Sequence, residues 1–272
     1  MRSMGRDSKR MMVCMIVALL LFGGTALVDA AVSKGGFVTP MTDPLTWTDA
    51  TSPYVGDTND GWLQIDGGTV VLSSAPIVGY EGGTGDVTIS GAGSAWKCDN
   101  NLTIGYLGSG GIVVSAGAVP TSVGLTLGTS GTGILTISGA GSSWTTNHLS
   151  VDGTFSAITL ETGGLLNVET SALISAGVIQ LRTGGMLGVA GNASDLTGFL
   201  DLISGTDNIQ YWTGTAWADI TGATPGEDYT ITYHATGDFA GQTILAVPEP
   251  AALSMLALGG MLMLRRRRIR VQ

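Results

Sequence analysis

The sequence predicts an all-β chain wound as a parallel β-helix (a β-solenoid), and internal repetition carries the prediction. The block "GDVTISGAGSAW" at 85–96 returns as "GILTISGAGSSW" at 133–144, with nine of twelve positions identical at an offset of 48. Shorter echoes have offsets of 23, from Leu102 ("LTIGYLGSGG") to Leu125 ("LTLGTSGTGI"), and of 21, from Ile158 ("ITLETGGLL") to Ile179 ("IQLRTGGML"). The longer offset is therefore two units of about 24 residues, a length typical of repeats that stack side by side. Abundant glycine (43 of 272 residues) among Thr, Ser, Val and Ile, with only 12% charged residues, suits short strands joined by tight corners.

One phase can be followed through six units: Ile65, Ile89, Val114, Ile137, Leu160 and Leu181, at steps of 24, 25, 23, 23 and 21. Each marker sits in an apolar/polar alternation such as Val87-Thr88-Ile89-Ser90, the signature of a half-buried strand. Glycines follow at once (Gly91, Gly117, Gly139, Gly163), where positive φ lets the chain turn. Leu102–Ile104, Leu125–Leu127 and Leu149–Val151 mark a further strand in each unit. One such turn cannot bury its own inner face, so the turns stack into a rod with a continuous apolar core, expected over residues 63–190. Short strands at this spacing also fit an antiparallel sandwich, but a sandwich has no reason to repeat itself over six units. Stacking places Glu161 beside Arg182, a cross-strand pair contributing at most about 1 kcal/mol. Trp96 and Trp144 share a phase two turns apart and are expected to pack beneath a broad corner.

The flanks break the repeat. Residues 31–62, with "TWTDATSPYVGDTNDGWL" at 46–63, read as an N-terminal cap, and residues 191–246 as a C-terminal β cap. Residues 1–30 have a basic start (Arg2, Arg6, Lys9, Arg10), an apolar run at 11–21 and small residues before Ala30-Ala31. That is the pattern of a secretory signal peptide cut between those two alanines.

Both chain ends shape the charge. Residues 31–250 carry only Lys34, Lys97 and Arg182 against nineteen acidic residues, a net of −16, while the whole chain is −9. So acidic a body will not hold nucleic acid or an anionic membrane face by charge. Cys98 is then alone, so no intramolecular disulfide is expected.

Catalytic chemistry is sparse. Lyases of acidic polysaccharides need a base and cations that neutralise uronate carboxylates. Here one arginine, two lysines, and two histidines 86 residues apart (His148 and His234) are all that residues 31–250 offer. Asp57, Asp60, Asp66, Asp99 and Asp152 are available as carboxylates but show no paired spacing. "DTNDG" at 57–61 begins like a calcium loop, yet Trp62 and Gly68 stand where an EF-hand needs Gly and Glu. No cofactor is expected beyond weak surface Ca²⁺.

The last 26 residues, 247–272, have three parts in fixed order: Val247-Pro248-Glu249-Pro250, the apolar run 251–264, and Arg265-Arg266-Arg267-Arg268. This arrangement resembles the PEP-CTERM sorting signal of bacterial exported proteins. The "ISGAGSxW" and "LTIG"/"LTLG" units resemble repeats shared by autotransporter passengers and PEP-CTERM proteins, over roughly residues 60–190. The resemblance implies a right-handed β-helix, recognition of the tail by a membrane exosortase, and delivery to the envelope or an exopolysaccharide matrix. No C-terminal membrane barrel accompanies the repeats, so the autotransporter export route is not implied. Fourteen apolar residues span about 21 Å as a helix, short of a ~30 Å hydrocarbon core. The tail therefore reads as a transient transmembrane stop, arginines inside. The leading expectation is a structural protein of the envelope, matrix or biofilm. The alternatives are an adhesin with one carbohydrate site, drawing on the aromatics of 205–235, and, last, a polysaccharide-active enzyme.

Overall fold

The structure, a computed structural model, describes residues 31–206 and 208–249. Ala30, Pro250 and Arg265–Arg268, with the signal segment and the apolar tail, lie outside the described residues.

The first sheet contains β1 (Ala31–Gly36), β4 (Gly61–Asp66), β7 (Thr84–Ser90), β9 (Ser109–Ser115), β11 (Thr132–Ser138), β13 (Ala157–Glu161), β15 (Val178–Leu181), β18 (Ile209–Trp212) and β19 (Trp217–Asp219), in that spatial order. The second contains β2 (Val38–Thr39), β3 (Tyr54–Val55), β5 (Val70–Ser73), β6 (Ile77–Val78), β8 (Ala95–Ile104), β10 (Thr121–Leu127), β12 (Ser143–Val151), β14 (Leu165–Ile174), β16 (Met186–Ala190), β17 (Ile203–Gly205), β20 (Thr230–His234) and β21 (Gln242–Ala246). From β4 to β18 every neighbour in the first sheet is parallel, which is the stack of a β-solenoid. The long strands of the second sheet bend midway. The first half of β8 pairs with β5 and its second half with β6, and β14 likewise splits between β16 and β17. Each coil thus has three short faces.

Alternation explains the strands. In β7, Gly85, Val87 and Ile89 point inward and Thr84, Asp86 and Thr88 outward. The register joins Ile65 to Ile89, Ile89 to Val114, Val114 to Ile137, Ile137 to Leu160 and Leu160 to Leu181, and all six are fully buried. Leu63, Val87, Ile112, Leu135, Ile158 and Ile179 form a second buried column on the same face. Leu102, Leu125 and Leu149, with Ile104, Leu127 and Val151, line the face carried by the second halves of the bent strands.

The corners explain the repeated motif. In each "GAGS" block the serine reaches back one coil: Ser94 Oγ accepts from the Gly68 N–H at 2.9 Å, and Ser142 Oγ from the Gly117 N–H at 3.0 Å. Both serines are buried, and each supplies an acceptor to a corner N–H of the preceding coil. The two tryptophans are fully buried and belong to the core, packed as expected of residues just after that corner. Trp144 Nε1 donates to Ser122 Oγ of the preceding coil at 3.0 Å. The coil between the two carries Pro120, not Trp, at that level, and the buried Trp96 Nε1 lacks the partner that Trp144 has. At another corner Gly105 has φ +73 and sits so close to the next coil that a Cβ would run into the Thr132 carbonyl oxygen.

Parallel stacking does not stop where the sequence period fades, near residue 190. β17 continues the column of Ala172, and β18 sets Tyr211 beneath Leu181. The step from Leu181 to Tyr211 is 30 residues because the chain first makes a short helix, α1 (Leu196–Leu200), with Asp195 as its N-cap. This excursion hides the period but leaves the pairing intact. The caps are antiparallel: β1 covers β4 at one end, and β19 and the β20–β21 hairpin cover the other. A cap must end a parallel stack without inviting another chain, and both β1, with Lys34, and the three-residue β19 are poor templates for pairing.

One interior column is partly polar. It runs Ser73, Cys98, Ser122, Thr146, then Val168 and Val189. Ser73 Oγ donates to Cys98 Sγ at 3.6 Å, and Ser122 Oγ to Thr146 Oγ1 at 3.2 Å. Burial pushes the Cys98 thiol from an ordinary 9.0 up to about 12.

Three outcomes are expected. Ile137→Ala opens a cavity in the middle of the column and lowers stability by about 3 kcal/mol in urea titration. Gly105→Ala, forced into left-handed backbone against a carbonyl, destabilises by more than about 1 kcal/mol. Between pH ~9 and ~12 the unfolded chain loses the thiol proton that the folded chain keeps, so stability falls as pH rises through that window. The contribution is about 1.4 kcal/mol per pH unit, and a Cys98→Ala variant loses it; equal slopes for both proteins would refute this account of the thiol.

Candidate functional site

At the C-terminal end of the rod, the side chains and corners that close the last coil enclose a cleft of about 630 Å³. It is lined by Thr183, Tyr211, Trp212, Thr213 and Gly214 on one side and by Gly226, Glu227, Asp228, Val247, Pro248 and Glu249 on the other. Each wall follows from the local sequence. Inward-outward alternation in β18 buries Tyr211 and turns Trp212 out. A hairpin then returns as β19, pairing Trp212 with Trp217. Asp219 ends this strand by accepting from the Thr221 N–H at 2.8 Å and from its hydroxyl at 2.6 Å. These bonds hold its carboxyl below the usual range. The opposite wall is a turn closed by Asp228, which accepts from the Thr224 N–H at 2.9 Å. Burial raises the Tyr211 phenol, and the adjacent Asp228 carboxylate raises it further.

Arg182 buttresses the aromatic wall. One coil before Trp212 in the same outward column, its guanidinium carbon lies 5.0 Å from the Trp212 ring and 5.3 Å from the Trp217 ring. The two rings meet edge to face at 5.2 Å. Arg182 also reaches Glu161, with Nε 3.7 Å from Oε2, an exposed pair of small energetic weight. The column thus reads Glu161, Arg182, Trp212, and the cation sits between a carboxylate and two π faces.

The tail motif begins at this cleft. Val247 is buried, its N–H donating to the Gly185 carbonyl at 3.1 Å and its carbonyl accepting from the Gly184 N–H at 2.8 Å. Pro248 and Glu249 follow as part of the cleft wall. At the far end of the described chain Ala31 opens β1.

Other candidates disperse. His148 Nδ1 lies 2.9 Å from Ser171 Oγ, a pairing across one coil that linear spacing did not suggest. His234 packs edge-on against Phe239 at 5.8 Å. Asp152 accepts from Ser150 Oγ at 2.8 Å and from Ser175 Oγ. Among the described residues, no group of three or more His, Cys, Asp or Glu is placed to hold a metal ion. Among them, too, no helix is long and apolar enough to cross a membrane.

A shallower trough, about 480 Å³, runs over the outer face of the first sheet. Gly111 leaves a gap between Asp86 and Ile134, and Thr84, Thr88, Thr132 and Thr136 border it. Comparison of the chain with known protein families, with curated proteins and with solved structures found no match.

Proposed function

We propose that this chain is an exported structural rod of the cell envelope or extracellular matrix that grips polysaccharide at its C-terminal cleft. The cleft carries the reading. A pyranose ring has an apolar C–H face, which suits Trp212, and a rim of hydroxyls, which suits the carboxylates of Glu227, Asp228 and Glu249 and the hydroxyls of Thr183 and Thr213. Three carboxylates repel uronates and phosphorylated sugars, so the favoured ligands are neutral or amino sugars. The trough over Gly111 offers a second, weaker contact along the rod axis. This places the adhesin-like use of the 205–235 aromatics within the structural role, and it assigns no catalysis.

Destination rests on the two ends of the sequence: signal-peptide cleavage after Ala30, and a PEP-CTERM tail that holds the chain transiently in the membrane for an exosortase. Anchoring of Val247 supports processing beyond it, because a cut upstream would break the two backbone bonds that fix the cleft wall.

Two measurements test the proposal. In calorimetric titration, neutral and amino-sugar oligosaccharides bind to the protein, uronate oligomers do not, and Trp212→Ala reduces affinity by at least about tenfold, a loss of ~1.4 kcal/mol. Equal binding by the Trp212→Ala variant would remove the cleft from the proposal. Mass spectrometry of protein recovered from cells should find Ala31 as the first residue and no Arg265–Gln272 segment; an intact C-terminus would overturn the processing.

A further inference from the structure

Tyr80 and Tyr106 follow the corner glycines Gly79 and Gly105, and Tyr54, two residues before Gly56, stacks on Tyr80. Tyr54, Tyr80 and Tyr106 lie on successive coils, with ring centroids 4.9 Å apart for the first pair and 5.5 Å for the second. Tyr80 and Tyr106 are nearly parallel, at 21°. Both are held in step by the backbone: Tyr80 N–H donates to the Gly56 carbonyl at 2.8 Å, and Tyr106 N–H to the Gly79 carbonyl at 3.1 Å. Gly79 and Gly105 precede them with φ of +78 and +73, so each tyrosine leaves its corner in the same direction. Tyr106 is 37% exposed and Tyr80 half-buried, which makes both rings accessible to a small oxidant.

The residue after Tyr80 is unusual. Glu81 has φ +43, left-handed backbone that a side chain adopts only where its surroundings impose it. The neighbouring Glu81 carboxylate raises the Tyr80 phenol. A phenol that loses an electron must also lose its proton, and both rings reach solvent that can take it.

We propose that Tyr80 and Tyr106 form an oxidative cross-linking site, in which a carbon–carbon bond between the two rings staples consecutive coils of one chain. The oxidant is a peroxide used by a haem peroxidase. Each ring gives up one electron and, to solvent, its hydroxyl proton. The two phenoxyl radicals couple through their ortho carbons. Each coupled carbon then loses its hydrogen as a proton while the phenoxyl oxygen regains one, restoring both aromatic rings and both hydroxyls. The net change is loss of two hydrogens from the pair, and one hydrogen peroxide is reduced to two waters. Ring proximity favours coupling within the chain over coupling between chains. The staple would brace a rod whose residues 31–250 contain one cysteine and so cannot form an internal disulfide.

The test is treatment of the full chain, purified without its signal segment, with horseradish peroxidase and hydrogen peroxide. Dityrosine fluorescence is expected in the monomer band, and peptide mapping is expected to join the Tyr80 peptide to the Tyr106 peptide. Tyr80→Phe keeps the stacked ring but removes the phenol, and should abolish the intrachain link with an unchanged circular dichroism spectrum. Linkage through Tyr229 or Tyr233 at the same yield, a product that is mainly an interchain dimer, or an undiminished intrachain link in Tyr80→Phe would each overturn the proposal.

Discussion

Backbone hydrogen bonding between consecutive coils sets everything else in this molecule. It fixes the spacing of coils at about 4.8 Å and forces residues of equal phase into columns. No coil is stable alone, because its inner Ile, Leu and Val side chains are covered only by the coils on either side. The column from Ile65 to Leu181 is therefore a shared object, and a defect in one coil is felt by its neighbours. The same constraint explains the buried serines. Backbone N–H groups of one coil need acceptors that the next coil can supply, and Ser94, Ser142 and Ser156 provide them at Gly68, Gly117 and Gly133.

The spacing also organises the outer surface. Outward side chains at equal phase lie within reach of each other, so chemistry that is scattered in sequence becomes a line in space. Glu161, Arg182 and Trp212 form one such line, His148 and Ser171 another, and Tyr80 and Tyr106 a third, which Tyr54 joins from a different register position. A rod of this kind gains function by choosing side chains for its outward columns, and it does so without disturbing the core, because alternation separates the two faces. The cleft differs in kind. It forms where the repeat ends, since only there does the chain leave the column pattern and turn two strands back, setting Trp212 opposite Glu227 and Asp228.

Particular residues show how far the fold was legible. The inner column could be read because burial imposes an apolar residue at each step of 21 to 25 residues. The pairing of Glu161 with Arg182 could be read for the same reason, being one step out of phase with that column. Trp96 and Trp144 were legible in phase and as packing residues, while the bond of Trp144 to Ser122 was not, because it crosses from one coil to another. The continuation of the stack to Trp212 was hidden by the excursion through α1, which changes the length of one coil without changing its pairing. The tyrosine stack left a trace in the repeated Gly-Tyr at 79–80 and 105–106, while the place of Tyr54 in it had none, since Tyr54 precedes its glycine.

The sequence by itself determined the period, the inner face and the identity of the corner residues. These depend on local rules: alternation along a strand, glycine where φ is positive, and apolar side chains where water is excluded. Tertiary structure alone decided the meeting of Arg182 with both Trp212 and Trp217, the His148–Ser171 contact, and the cleft between Trp212 and the Glu227–Asp228 turn. These contacts join residues whose separation depends on the length and path of each corner. That length varies from coil to coil, so the outer surface becomes definite only when the coils are stacked.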